Sequence, residues 1–230
     1  IWYLLEAVYL CYLDEVKNKL IRYSFNEKSK YVIQEGKKIY DNVKKKWNIY
    51  FKNDNPLNIE LACGYGEHTT HFSTKNKDQN YIGIDIKGAR IYKGAKILDE
   101  SKSSNAVFLR TYIENIYDFF EVDTVSNILI SFPDPRPKKR DIKKRLTNVM
   151  FLNKYYSLLK KNGQLTLKTD DKSLFEFTIE QLKKTKFKVI SIHSNLHVGN
   201  LNNKFSEVKT KYEKKFIRKK LTIKLLTCAK

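Results

Sequence analysis

Asn58-Ile59-Glu60-Leu61-Ala62-Cys63-Gly64-Tyr65-Gly66-Glu67 is the stretch that decides the fold. A short apolar, β-favouring run passes through two glycines into a helical pattern. Glycine at such a turn lets a ligand approach the backbone closely. Twenty-five residues after Glu60, Asp85 closes a second run, Tyr81-Ile82-Gly83-Ile84-Asp85. In a doubly wound sheet the first turn lies at the switch point where ligands bind, and an acid after the second strand is placed to grip ribose hydroxyls. A dinucleotide fold needs three glycines and a helix N-terminus open to a pyrophosphate. Here there are two glycines, and Glu67 opens the helix, where its carboxylate repels phosphate. Glu60 points the same way, toward a phosphate-free ligand with a cationic end, as in S-adenosylmethionine.

Outward from that run the pattern stays regular. Strands are expected at 58–63, 81–85, 106–110, 125–132, 164–168, 187–193 and 221–227. Helices are expected at 67–75, 88–100, 113–120, 147–160 and 172–184. Near-continuous apolar strands alternating with helices predict a seven-stranded, mostly parallel sheet with helices on both faces, an α/β Rossmann-like class, the last strand being free to insert antiparallel. Residues 1–52 read as an N-terminal extension and basic arm, helical or irregular, and 53–230 as the main domain. The first sixteen residues are apolar and then acidic. They lack a basic leader region and a small-residue cleavage site, so they read as an amphipathic helix rather than a signal peptide.

Composition narrows the partners. The chain has 230 residues, with 45 Lys+Arg against 25 Asp+Glu, a formal charge of +20. A field of that size attracts polyanions, so nucleic acid is the expected partner. Aromatics at 13% and apolar residues at 41% argue against a disordered chain. No apolar run reaches 18 residues, so no membrane span is expected. Cys11, Cys63 and Cys228 are far apart and, with four scattered histidines, give no metal-ligand cluster. They point to a reducing, cytoplasmic setting.

A second motif follows the fourth strand: Ser131-Phe132-Pro133-Asp134-Pro135-Arg136-Pro137-Lys138-Lys139-Arg140, with further cations at Lys143, Lys144 and Arg145. Three prolines stiffen the loop. Asp134 is thereby held at the C-terminal end of a central strand beside a cationic cluster suited to phosphates.

These residues carry a resemblance. The F-P-D-P-x-P-K-K-R loop followed by K-R-L-T resembles the signature of the TrmB family of tRNA (guanine-N7)-methyltransferases. E-L-A-C-G-Y-G-E, G-I-D-I-K-G-A-R at 83–90, L-K-T-D at 167–170 and T-K-Y-E at 210–213 resemble its other motifs, in order. The resemblance implies an enzyme that transfers a methyl group from S-adenosylmethionine, without a metal, to N7 of guanosine 46 in the tRNA variable loop, as a monomer or homodimer. It implies that Glu60, Gly64, Gly66, Asp85 and Tyr112 meet the methyl donor, that Asp134 is the active-site acid, and that Lys138, Asp170, Thr210, Lys211, Tyr212 and Glu213 meet the RNA.

Three positions depart from the family pattern. Ala62 stands where many methyltransferases have a first glycine, a change of little weight for a small residue. Arg136 replaces a tryptophan. Tyr112 replaces an Asp or Asn, so Glu114 or a backbone carbonyl is expected to meet the adenine amino group instead. Helix capping is the competing role for Asp170 and Asp171, and a plain basic surface helix for 210–213. A non-catalytic RNA-binding protein, a dehydrogenase and a small-molecule methyltransferase are the competing functions.

Overall fold

The computed structural model describes residues 18–198 and 203–230. The extension at 1–16 lies outside them. Among the described residues, eight strands form one sheet: β1 (Val32–Gln34), β2 (Leu57–Leu61), β3 (Asn80–Ile84), β4 (Ala106–Arg110), β5 (Val125–Ser131), β6 (Leu159–Thr169), β7 (Lys188–His193) and β8 (Lys224–Ala229), in the order β1-β4-β3-β2-β5-β6-β8-β7. The pairs through β6 are parallel; β8 runs antiparallel to both β6 and β7. The chain reverses direction across the sheet between β2 and β5, which puts the switch point beside the glycine turn.

The sheet therefore has eight strands rather than the expected seven. The additional strand is β1, from the basic arm. A three-residue strand carries too little alternation to announce itself, and its cationic neighbours mask it. Tertiary contacts fix it. Lys37 Nζ donates to the carbonyls of Asn26, Ser29 and Val32 at 2.6, 2.8 and 2.7 Å, closing the end of the helix through 18–28 (α1) against β1. Burial lowers the Lys37 pKa, with Glu27 opposing the shift.

Alternation along the strands sends side chains to two layers. On one face, Leu57, Ile59 and Leu61 of β2, with Ile82, Ile84, Val107 and Leu109, pack against α2 (Lys38–Asn42), α3 (Trp47–Phe51), α6 (Ile116–Phe119), α7 (Val149–Leu158) and α8 (Lys172–Leu182). Trp47 donates to the Phe119 carbonyl at 2.8 Å and stacks on Phe120, so an aromatic of the arm completes this layer. On the other face, Tyr81, Ala106 and Phe108 pack against α4 (Glu67–Lys75) and α5 (Gly88–Glu100). Each buried Leu, Ile or Phe contributes about 1.5–3 kcal/mol.

Phe108 explains three glycines. A Cβ added at Gly66, Gly83 or Gly94 would come within 2.2, 2.5 or 2.4 Å of its ring. The three missing side chains form the socket that this fully buried ring fills.

After β7 the chain forms α9 (Lys204–Glu207) and α10 (Lys211–Arg218), which lie beside the C-terminal ends of the central strands. The stretch 204–220, expected to be a basic segment, is helical and tied to β6 by one cation. Lys168 Nζ is fully buried. It donates to the carbonyls of Phe205 (2.6 Å) and Val208 (3.0 Å) and pairs with Glu213 Oε2 at 2.7 Å.

Candidate functional site

A crevice of about 500 Å3 opens at the switch point. One wall comes from the turn after β2 and from Asp85, the other from the 132–136 loop, Asp170 and the start of α10. A slot of about 230 Å3 continues from it past Ala62, Asp85, Ile86, Thr111, Tyr112 and Ile113. Asp134 and Arg136 border both spaces.

The β2 side is built from buried acids that hold backbone. Asp85 Oδ2 accepts from Gly64 N–H at 2.9 Å and Oδ1 from Lys87 N–H at 2.8 Å. The carboxylate thus clamps the glycine turn to the start of α5. Glu60 Oε2 accepts from the backbone and hydroxyl of Thr69 at 3.0 and 2.6 Å, and Oε1 lies 3.2 Å from His68 Nδ1. Glu67 Oε1 accepts from Lys211 N–H at 2.8 Å, tying α4 to α10. Burial raises the Glu67 pKa, against the pull of that N–H. Ala62 has φ +55° and Gly64 φ +56°. Ala62 therefore occupies the left-handed region, where an L side chain costs about 1–2 kcal/mol, so glycine's absence here has more weight than its size suggests.

Cys63 is also buried against this wall. Burial pushes its thiol well above the ordinary value, with Asp85 and Glu60 adding to the rise. It stays a protonated thiol, which rules it out as a nucleophile at neutral pH.

The opposite wall is open. Phe132 (φ +47°) and Arg136 (φ +43°) are both left-handed, so the loop turns sharply on either side of Pro133-Asp134-Pro135. Strain of that kind persists where surrounding structure imposes it. Asp134 is exposed, and among the described residues its Oδ1 accepts from Arg136 N–H alone, at 3.1 Å. Arg145 closes the loop from behind. Its guanidinium donates twice to the Arg136 carbonyl (3.3 and 3.2 Å) and lies over the Phe177 ring. Arg145 is buried, so it braces this loop rather than joining the surface cluster expected to hold phosphates.

Asp170 and Asp171 divide two roles. Asp171 caps α8, accepting from Leu174 N–H at 2.6 Å. Asp170 is half-buried and faces the crevice, and burial raises its pKa, with Asp171 adding a smaller push. Capping thus falls to Asp171 and not to Asp170.

Of the sequence-derived residues, Glu60, Gly64, Asp85, Asp134, Asp170, Thr210 and Tyr212 meet in one crevice, and Tyr112, a residue 61% exposed, borders its slot. Glu114 shares that slot. Gly66 sits behind the turn, in the Phe108 socket. Lys138 is exposed at the start of the short 3-10 helix Lys139–Lys144, outside the lining of both spaces. Lys211 is exposed at the first turn of α10. Thr210 caps α10 by accepting from Glu213 N–H. Glu213 is fully buried, its carboxylate engaged by Lys168 and, at 2.8 Å, by His197 Nε2. Its position gives it a supporting role in place of the surface role expected of it. The pairing of Lys168, which lies within the L-K-T-D motif, and of His197 with Glu213 escaped the sequence reading. The available signal was a lysine inside the apolar strand Leu165–Thr169.

A family model described as "Putative methyltransferase" matches residues 54–226. The tRNA (guanine-N(7)-)-methyltransferase of Cytophaga hutchinsonii is 37% identical over 212 residues, covering 91% of this chain and 96% of the relative. That of Christiangramia forsetii is 41% identical over 207 residues, covering 87% and 92%. This chain belongs to the tRNA (guanine-N7)-methyltransferase family. The Bacillus subtilis member is more distant, at 35% identity over 173 residues, or 75% of this chain and 80% of the relative. Among solved structures, a 16S rRNA methyltransferase, KamB, aligns with a TM-score of 0.60 at 11% identity over 80% of this chain and 92% of that one, a likeness of fold. Among the described residues no helix is long and apolar enough to cross a membrane.

Proposed function

We propose that the chain transfers the methyl group of S-adenosylmethionine to N7 of guanosine 46 in the variable loop of tRNA, in the cytoplasm. The observation that carries this reading is the meeting of two kinds of acid across one crevice, buried Asp85 and Glu60 facing Asp134 and Asp170. The donor set fits a phosphate-free nucleoside with a cationic tail. Asp85 retains lone pairs for ribose hydroxyls, Glu60 and Glu67 favour positive charge, and the 111–114 slot has room for a planar base.

Guanine N7 carries an exposed lone pair and no proton, so no general base is required. The N7 pair attacks the methyl carbon, the carbon–sulfur bond breaks, and its electrons remain on sulfur as a neutral thioether. The positive charge passes to the base, and no proton leaves. Acceleration then depends on in-line placement of N7 about 3 Å from the methyl carbon. Asp134, with one oxygen free of partners among the described residues, is suited to grip the guanine N1–H and amino edge or to stabilise charge developing on the base. Asp170 and Thr210 lie on the same wall to orient the nucleotide. A chain with net charge +20 draws the RNA to it, so tRNA affinity falls steeply with added salt.

The test is incubation of the protein with unmodified tRNA and methyl-labelled donor, followed by mapping of alkali-labile sites. Label confined to N7-methylguanosine at position 46 supports the reading. Label elsewhere, or none, overturns it. If S-adenosylhomocysteine also failed to bind, a non-catalytic RNA-binding protein would take its place.

A further inference from the structure

Beside the crevice the structure gathers two tyrosines and three cations from separate parts of the chain. Tyr65, in the turn after β2, lies nearly parallel to Tyr212 of α10, with ring centroids 6.1 Å apart and planes 16° apart. Lys93 and Lys211 stand over the Tyr65 ring at 4.8 and 5.5 Å, and Arg90 over Tyr212 at 5.7 Å. Arg90 and Lys93 are three apart on α5 and so share a face of that helix. Among the described residues, none of the three cations has a carboxylate oxygen within 4.0 Å. Both tyrosines line the crevice that also holds Asp134.

Unpaired cations beside aromatic faces are the features that bind single-stranded nucleic acid. Bases stack on the rings and phosphates meet the charges. A core contact would not keep Lys93 and Lys211 exposed, and a protein partner would be expected to supply carboxylates to them.

We propose that Tyr65 and Tyr212 form a stacking subsite for a nucleotide directly flanking the methylated guanosine, with its phosphates on Arg90 and Lys93. The proposal rests on the tRNA methyltransferase reading above and adds to it a determinant outside the target base. Tyr65 is here a positioning residue: it fixes the register of the strand so that the target base meets Asp134.

The test pairs protein and RNA changes. KM for tRNA is measured for the wild-type protein and for Tyr65→Ala, on unmodified tRNA and on tRNAs made abasic on the 5′ or the 3′ side of the target guanosine. Tyr65→Ala raises KM for intact tRNA by about 10-fold or more, while affinity for S-adenosylhomocysteine stays within about twofold. One abasic tRNA costs the wild-type protein a similar factor, and that tRNA costs Tyr65→Ala little more. Tyr65→Phe restores KM, since the ring and not the hydroxyl stacks. Losses that simply multiply for both abasic tRNAs overturn the subsite, as does an unchanged KM. If Tyr65→Ala does not fold, Lys93→Ala decides: the log–log salt slope of tRNA binding shrinks by about one, and an unaltered slope overturns the phosphate contact. Failure of the wild-type protein to methylate any tRNA would be a failure of the parent reading, not of this one.

Discussion

The two walls of the crevice use the same side chain, a carboxylate, in opposite ways. On the β2 side, Asp85 and Glu60 are buried and already accept hydrogen bonds from Gly64, Lys87 and Thr69. On the loop side, Asp134 is exposed with a single backbone partner among the described residues, and Asp170 leaves helix capping to its neighbour. The first wall is a scaffold that presents a rigid turn. The second keeps oxygens in reserve for a ligand. Substitutions on the two walls should therefore separate into losses of shape and losses of chemistry.

The sharpest test is Asp134→Ala. Its kcat/KM falls at least about 100-fold, the scale of removing one pre-positioned charge-stabilising group. Affinity for S-adenosylhomocysteine stays within a few-fold and Tm is unchanged. Full turnover would erase the distinction between the walls. Lys168→Met is the structural counterpart. It leaves Glu213 buried without its cation, at a cost of about 3–5 kcal/mol, and lowers Tm on the order of 10 °C. Calorimetry of the variant and of Lys168→Met/Glu213→Gln checks this, with the double variant expected to recover part of the loss.

Asp85→Ala should fall between these. It strips Gly64 N–H of its acceptor, at about 1–3 kcal/mol, and weakens S-adenosylhomocysteine binding together with Tm. A loss confined to binding would show that the clamp is not structural.

The adjacent pair refines the comparison. Asp171→Ala costs about 1 kcal/mol of stability through the α8 cap while kcat is kept. Asp170→Asn lowers activity and does not lower stability. Burial holds the folded Asp170 carboxyl above its ordinary value. The folded chain therefore binds the extra proton between those two values, and this contribution to stability declines as pH rises through that window. Asp170→Asn removes that part of the slope of Tm against pH. The smallest effect is Ala62→Gly, which relieves a left-handed alanine and raises Tm by about 1–3 °C, net of glycine's greater unfolded-state freedom.

What the residues disclosed in advance follows the strength of local signals. Alternation and the glycine turn located β2 to β6 and placed Asp85 and Asp134 at one edge, because near-continuous apolar runs and proline-braced loops are written locally. The helices Glu67–Lys75 and Gly88–Glu100 begin and end where their patterns do. The short strand Val32–Gln34 was illegible, since its pairing depends on β4 and on Lys37, distant or opaque in a basic stretch. Gly66 read as a ligand-facing residue because a glycine's missing side chain does not say what fills the space. Glu213 and Arg145 read as surface charges because burial of an ion is decided by partners far along the chain, Lys168 in one case and Phe177 in the other.

The socket around Phe108 also constrains how this chain can change over generations. Gly66, Gly83 and Gly94 come from a turn, a strand and a helix, yet each is sterically answerable to the same ring. A side chain acquired at any of them is harmful while the ring remains, and trimming the ring first leaves a void costing about 3–5 kcal/mol. Drift at these four positions has no gentle first step, so they are expected to be inherited together, the crevice's geometry preserved by an aromatic residue buried outside its lining.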